Sequence, residues 1–181
     1  MKKSICFIII LSFLSINLIG QGTPEKDNLL LDTFFKSKVS IEKERLVPDT
    51  LAKVFYGTFY KVEAGFSFPG ESSYTNYMFN IKDGALLLIQ NRNDSITSLL
   101  SLVRNDFYLK TAINAKVFES CLDKIYPMSD TDMHLKQHLK IANKWYFIRG
   151  TFFDSKSGYI VTLDQNSKIK NISYSMEAIK K

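Results

Sequence analysis

The C-terminal stretch of residues 144–176 constrains the fold more than any other part of the chain. It contains three runs rich in aromatic and β-branched residues, separated by the clusters Ser-Lys-Ser-Gly and Gln-Asn-Ser-Lys. Such runs favour strands and such clusters favour tight turns, so the pattern predicts a β-meander. The first run is apolar on both faces, which predicts an inner position in the sheet. In the last run, Ile169 and Ile172 have opposite parity, which predicts a β-bulge or a change of buried face near Asn171.

The upstream chain combines helical and strand periodicity. Gly65 interrupts an alternating run and predicts a bulge or a close backbone approach, while Asp83-Gly84 predicts a hairpin turn. Residues 39–47 and 134–143 fit no single pattern and are left open. Helices are predicted over 24–37, 51–56, 96–104 and from 111 or 114 to before Pro127, and strands over 58–68, 74–81 and 85–90. The expected fold class is therefore α+β, with an antiparallel sheet of about five to six strands and three to four helices mainly on one face.

The closing segment Gly-Tyr-Ile-Val-Thr-Leu-Asp-Gln-Asn-Ser-Lys-Ile resembles the terminal hairpin of several small α+β folds. Together with the order of N-terminal helices, strands and a long meander, it is loosely similar to cone-shaped NTF2-like domains. The resemblance covers about thirty residues and identifies no specific family. It implies a curved sheet with a concave face. The acid–base dyad of the enzymatic members has no counterpart in this chain, so the resemblance implies no activity.

The first twenty residues have the pattern of a secretory signal peptide. Lys2 and Lys3 precede an almost uninterrupted apolar run over 5–19, which is shorter than a membrane span needs. Gly20 suits the last position before cleavage. We therefore expect a signal peptide over 1–20, a single α+β domain over 21–181, and export to the bacterial periplasm or the extracellular space. The alternative is an uncleaved N-terminal anchor.

Cysteine usage and charge narrow the classes further. Cys6 lies at the start of the apolar run and not at the cleavage point, so we expect a soluble product without a lipid anchor and without stable membrane insertion. Cys121 is then the single cysteine of the mature chain, which excludes an intrachain disulfide. The net charge is +6, and charges of both signs are interspersed without a long run of either. Interspersed charges are typical of a solvated surface and do not form the basic patch that a nucleic acid binds, so no nucleic-acid partner is predicted.

One segment has partial metal-ligand character. Asp130, Asp132, His134 and His138 lie close together, and the two histidines are four residues apart. On a helix, this spacing puts both imidazoles on one face, as in many zinc sites. On a strand, the same residues are about 13 Å apart and cannot share an ion. Exposed histidines without a metal are the favoured interpretation, so we expect no cofactor, with His134 and His138 as the weak metal candidates.

No catalytic residue is predicted. Cys121 lies on the apolar stripe of its helix, which favours a buried structural thiol over a nucleophile. The chain lacks the phosphate-binding, nucleophile-elbow, dinucleotide-binding and zinc-protease motifs. An enzyme with a pocket assembled from distant residues remains an alternative, and the interpretation leans away from enzymatic activity.

The predicted ligand-binding residues are Trp145, Phe147, Arg149 and Tyr60. The first three share one face of the first meander strand, where an arginine among aromatic rings suits an anionic or planar ligand. The alternative is that Arg149 pairs with a carboxylate such as Glu63. We expect a non-enzymatic exported module that binds an unidentified protein or small ligand through a sheet face. An immunity- or inhibitor-type partner of another secreted protein is the next alternative.

Overall fold

The computed structural model describes residues 23–35, 40–47, 49–68, 71–89, 97–127, 134–151 and 156–175. The predicted signal peptide over 1–20 lies outside these residues, and so do Asp130 and Asp132. Among the described residues, no helix has both the length and the apolar character that crossing a bilayer requires.

The described chain contains helices and antiparallel strands, so the α+β class is confirmed. The helices are α1 (Pro24–Phe35), α2 (Asp49–Val54), α3 (Thr97–Leu100) and α4 (Ala112–Ile125). The strands are β1 (Ser40–Leu46), β2 (Thr58–Phe68), β3 (Glu71–Lys82), β4 (Ala85–Ile89), β5 (His134–Ile141), β6 (Lys144–Thr151), β7 (Lys156–Leu163) and β8 (Ile169–Ser175). They form two four-stranded sheets, β1-β2-β3-β4 (sheet 1) and β5-β6-β7-β8 (sheet 2). The expected single sheet of five to six strands is therefore not confirmed, and neither is the NTF2-like cone.

Sheet 1 is a regular meander whose turns follow its sequence. Asp83 and Gly84 have φ values of 52° and 76°, as a tight hairpin with two left-handed residues requires. Gly65 pairs with Tyr74 without a break in register, so it marks a close approach and not a bulge. A Cβ atom at Gly65 would lie 3.0 Å from the ring of Tyr74.

Sheet 2 contains the predicted C-terminal meander. Strand β6 lies between β5 and β7, as its two apolar faces predicted. Thr162 pairs with Asn171 and Leu163 pairs with Ile169, which leaves Lys170 as an extra residue in β8. This irregularity confirms the predicted bulge and brings Ile172 to the buried face. Part of the predicted Ser-Lys-Ser-Gly turn belongs to β7.

Two hydrophobic clusters hold these layers together. The larger one combines side chains of α2, α3 and α4 with one face of each sheet, including Phe55, Phe118 and Tyr159. The smaller one joins α1 to the opposite face of sheet 1 through Leu31 and Phe79. Burial of apolar surface in these clusters is the main stabilising contribution, because the single cysteine of the described residues is a free thiol.

Candidate functional site

Helix α4 lies over the inner face of sheet 2. Thr111 is the N-cap and its hydroxyl oxygen accepts a hydrogen bond from the backbone N–H of Asn114 at 3.2 Å. The buried side chains of the helix follow helical spacing and pack in the larger cluster. On the edge of this apolar stripe, Glu119 and Asp123 are four residues apart and therefore project from the same side of the helix. This side faces strands β5 and β6.

Arg149 is the most enclosed charged group of this interface, with 3% of its surface exposed. Its guanidinium donates hydrogen bonds to the carboxylate of Asp123 and, at 3.1 Å, to the backbone oxygen of Tyr126. It also lies 5.0 Å from the centroid of the Tyr159 ring. Among the described residues, none accepts a hydrogen bond from its Nε atom. Arg149 is thus paired with a carboxylate, as the alternative interpretation expected, but the carboxylate is Asp123 and not Glu63.

The aromatic residues on the same face of β6 are also covered by the protein itself. The indole N–H of Trp145 donates to the backbone oxygen of Leu109 at 3.0 Å. Phe147 is fully buried, and its ring lies 5.5 Å from that of Phe118 on α4. Trp145, Phe147 and Arg149 are therefore brought together, as predicted, on a face that α4 fills. Their ligand-binding role stays a prediction.

Tyr60 is not part of this group. It lies in the smaller cluster beneath α1, and its hydroxyl donates to the Asp27 carboxylate at 2.8 Å. Burial and this hydrogen bond raise the pKa of Tyr60 to about 12. The Asp27–Tyr60 bond attaches the first turn of α1 to sheet 1, so its evident contribution is structural. A ligand-binding role for Tyr60 likewise stays a prediction.

The two histidine candidates lie on a strand and not on a helix. His134 and His138 both belong to β5, where a separation of four residues corresponds to about 13 Å. His138 Nδ1 is 3.0 Å from the Oε2 atom of Glu119. In the part of the chain that the structure describes, no group of three or more histidine, cysteine, aspartate or glutamate side chains is arranged to hold a metal ion. The strand spacing places the two histidines too far apart to share one ion, and a metal role for either of them stays a prediction.

Cys121 is buried on α4, in the position that its apolar neighbours predicted. Its thiol donates a hydrogen bond to the backbone oxygen of Thr50 at 3.3 Å. Burial raises the pKa of the Cys121 thiol to about 12, which keeps it protonated at neutral pH. A nucleophilic cysteine needs the opposite environment, an accessible and electropositive one.

The sequence interpretation missed the acidic side of α4. Asp123 accepts hydrogen bonds from both Arg149 and Lys136, and Glu119 contacts His138. The sequence does contain two patterns of complementary charge that could have predicted this contact. Acidic residues recur at helical spacing on α4, and basic residues recur at strand spacing over 134–140. The second pattern places its basic residues on one face only if residues 134–140 form a strand, which the sequence left open.

Two shallow depressions on the described surface each have a cavity volume of about 130 Å³. One is lined mainly by the end of β1, the start of α2 and residues 57–59, and the other by charged side chains of β1 and β2. Small-molecule sites usually enclose about 300–1,000 Å³. Neither depression therefore has the size of an ordinary ligand site, and neither includes a predicted site residue.

The chain was also compared with known proteins. No protein-family model, no curated protein and no solved structure matches it. The roles of the individual residues therefore rest on the geometry of this chain.

Proposed function

We propose that the protein is an exported module that binds another protein, and that its docking surface is the β5–β6 hairpin. The single observation that carries this proposal is the position of β5 at the edge of sheet 2. Among the described strands, β6 is its sole hydrogen-bonded neighbour. The eight residues of β5 pair with β6 in unbroken register, so the opposite side of β5 presents a regular row of backbone groups.

The outer face of the same hairpin supports the proposal. Leu139, Tyr146 and Ile160 lie opposite one another across three strands, and all three are half-buried. None of them belongs to either hydrophobic cluster, and the four described helices each contribute to one of those clusters. Ile141, at the end of the hairpin, is 54% exposed. Ile148, on the same face, is 1% exposed, so the accessible part of this face is the end that carries Ile141. Accessible apolar side chains beside an open strand edge are typical of protein-binding surfaces.

The proposal is tested by selecting binders from a displayed library of random twelve-residue peptides. We expect enrichment of sequences that bind the purified chain and lose binding to an Ile141→Asp variant. The matched control is Leu29→Asp, which places the same charge at an exposed apolar position of α1, where Leu29 is 67% exposed. Selected peptides that bind all three proteins equally, or no enrichment at all, would refute a docking role for the hairpin.

Export is part of the proposal and rests on the first twenty residues. N-terminal sequencing of the protein recovered from the periplasm or the medium is expected to begin at Gln21. An immunity- or inhibitor-type role uses the same docking surface and differs in the partner, which would be another secreted protein. A curved NTF2-like arrangement of the sheets is not required for either role.

Catalysis is the second candidate function, and one contact favours it. A carboxylate that holds an imidazole, as Glu119 holds His138 at 3.0 Å, is the arrangement by which many enzymes orient a general base. The side chain of His138 is 26% exposed, so solvent reaches it. Hydrolysis of activated esters that disappears in His138→Ala and persists in Cys121→Ser would support this function. Equal rates in His138→Ala and the unaltered protein would exclude it.

A further inference from the structure

We propose that the open edge of β5 accepts an extended segment of a partner protein in which acidic and apolar residues alternate. This inference rests on the proposed function, because it specifies the chemistry of the segment that the β5–β6 hairpin docks. Addition of a strand to a sheet edge supplies affinity through backbone hydrogen bonds. Specificity then comes from the side chains that flank β5 on its two faces.

The inner face of β5 selects for acidic residues. Lys136, His138 and Lys140 alternate along the strand and therefore project to the same side as Trp145. Lys140 takes part in no ion pair between described residues, and its Nζ atom lies 5.9 Å from the centroid of the Trp145 ring. A strand added beside β5 places its own side chains within about 5 Å of these groups.

The carboxylates of α4 do not neutralise this face completely. Asp123 is shared between Lys136, at 2.9 Å, and the buried Arg149. Glu119 contacts His138, and no other described acidic side chain forms an ion pair with β5. The inner face of β5 therefore retains an excess of positive charge at Lys136 and Lys140. Carboxylates at every second position of an incoming strand would complement this charge.

The outer face of β5 selects for apolar residues. Leu139 and Ile141 project there, with Leu139 half-buried beside Tyr146 and Ile141 exposed. The neighbouring position, Gln137, is uncharged. The residues of the incoming strand that alternate with its acidic residues would pack against Leu139 and Ile141. They would extend the row of apolar side chains that crosses sheet 2 through Leu139 and Tyr146. The two faces together specify an alternation that matches the two-residue period of a strand.

A second copy of the chain fits this edge poorly. An antiparallel pair of β5 strands centred on His138 would place Lys136 of each copy opposite Lys140 of the other. Like charges directly opposite each other destabilise a strand pair, and lysines on an edge strand oppose self-association for this reason. The basic residues that disfavour self-pairing are the same ones that favour an acidic partner.

The test uses a fluorescent seven-residue peptide that alternates glutamate and valine, titrated against the purified chain and followed by anisotropy. We expect saturable 1:1 binding that weakens as salt increases, and no binding of a peptide that alternates lysine and valine. Lys140→Glu should weaken binding of the glutamate peptide about tenfold or more, and it should bind the lysine peptide better than the unaltered protein does. The matched control is Lys26→Glu on α1, for which the affinity should change less than about twofold. An unaltered far-UV circular dichroism spectrum shows that each variant is folded.

N-methylated peptides separate strand addition from general charge attraction. In an added edge strand, alternate N–H groups point towards β5 and the others point to solvent. Methylation of one set should therefore abolish binding, and methylation of the other set should leave it nearly unchanged. Equal binding of both methylated peptides, or equal loss, would refute strand addition at β5.

The outcomes for the two proposals are distinguishable. Library peptides that require Ile141 but lack alternating acidic residues would retain the docking function and refute the acidic segment. Dimers of the unaltered chain that Ile141→Asp breaks would also refute it, because the edge would then serve self-association. Failure of both the library and the glutamate peptide would remove both proposals.

Discussion

The ion pair of Asp123 and Arg149 joins α4 to sheet 2. The two residues differ in the partners that each one keeps when the other is removed. If Asp123 is removed, Arg149 remains a buried cation with the backbone oxygen of Tyr126 and the Tyr159 ring as its remaining partners. If Arg149 is removed, Asp123 keeps its bond to Lys136 and is 26% exposed to water. The two single substitutions should therefore have unequal effects on the free energy of unfolding.

The magnitudes follow from these surroundings. Removing one member of a buried ion pair usually costs about 3–5 kcal/mol, and the partial exposure of Asp123 places Asp123→Ala near the lower limit, about 3 kcal/mol. Arg149→Met replaces a buried cation by an apolar side chain of similar length. It loses mainly the bond to Tyr126, at about 1 kcal/mol. The double variant should lose about 1.5 kcal/mol, because the remaining Lys136 contact is exposed and contributes about 0.5 kcal/mol. The double variant is then more stable than Asp123→Ala alone.

Urea unfolding measures these differences. Trp145 is the only tryptophan of the chain and is buried in this interface, so its emission reports the transition directly. The unaltered protein, the two single variants and the double variant form a double-mutant cycle. Their urea midpoints are converted to free energies of unfolding with one common m-value, the dependence of that free energy on urea concentration. Equal losses of free energy of unfolding in the two single variants would show that Asp123 does not stabilise the buried charge of Arg149. A loss in the double variant that equals the sum of the two single losses would show the same.

Three further predictions concern other parts of the fold. Gly158→Ala should destabilise the protein by about 2 kcal/mol or more, since the added Cβ would lie 2.2 Å from the backbone oxygen of Phe147. Gly65→Ala should change the melting temperature far less, because its nearest contact is an exposed tyrosine ring. Ala142→Gly should stabilise the β5–β6 turn by about 1 kcal/mol in thermal unfolding, since Ala142 has a φ of 52° that costs an L-residue energy; a lower melting temperature would contradict this. The raised pKa of Cys121, about 12, should leave stability constant below about pH 8.5 and reduce it as the pH rises towards 12, because the unfolded thiol ionises first. Urea midpoints between pH 7 and 11 should show a smaller alkaline loss in Cys121→Ser, and an identical loss would contradict the assignment.

The features that the sequence predicted correctly depend on local patterns. The stripe that contains Phe118 and Leu122 predicted α4, and it ends before Pro127. The opposite parity of Ile169 and Ile172 predicted the bulge in β8, because a two-residue period tolerates no exception without one. Asp83-Gly84 predicted a tight turn for an equally local reason.

The features that remained open depend on contacts between distant segments. β1 and β5 are edge strands with many charged residues, so neither has the apolar alternation that identifies a strand. Their strand geometry comes from pairing with β2 and β6. The predicted helix over 96–104 is limited to α3, and Val103 instead forms a β-bridge with Phe55. The division into two sheets and the acidic face that α4 presents to β5 are also decided by packing, which no local pattern encodes.

The position of α1 has a consequence for how the molecule opens. Sheet 1 is covered on one face by the larger cluster and on the other by α1, and the smaller cluster under α1 shares no residue with the larger one. Detachment of α1 would break the Asp27–Tyr60 bond and expose Phe79, while the layer between the two sheets stayed intact. We therefore expect helix α1 to unfold locally as a separate unit and its amide hydrogens to exchange before those of α4. In this partly open state the protein exposes a new apolar surface, through which molecules can aggregate. The packing of α1 on sheet 1 therefore protects the whole protein against aggregation.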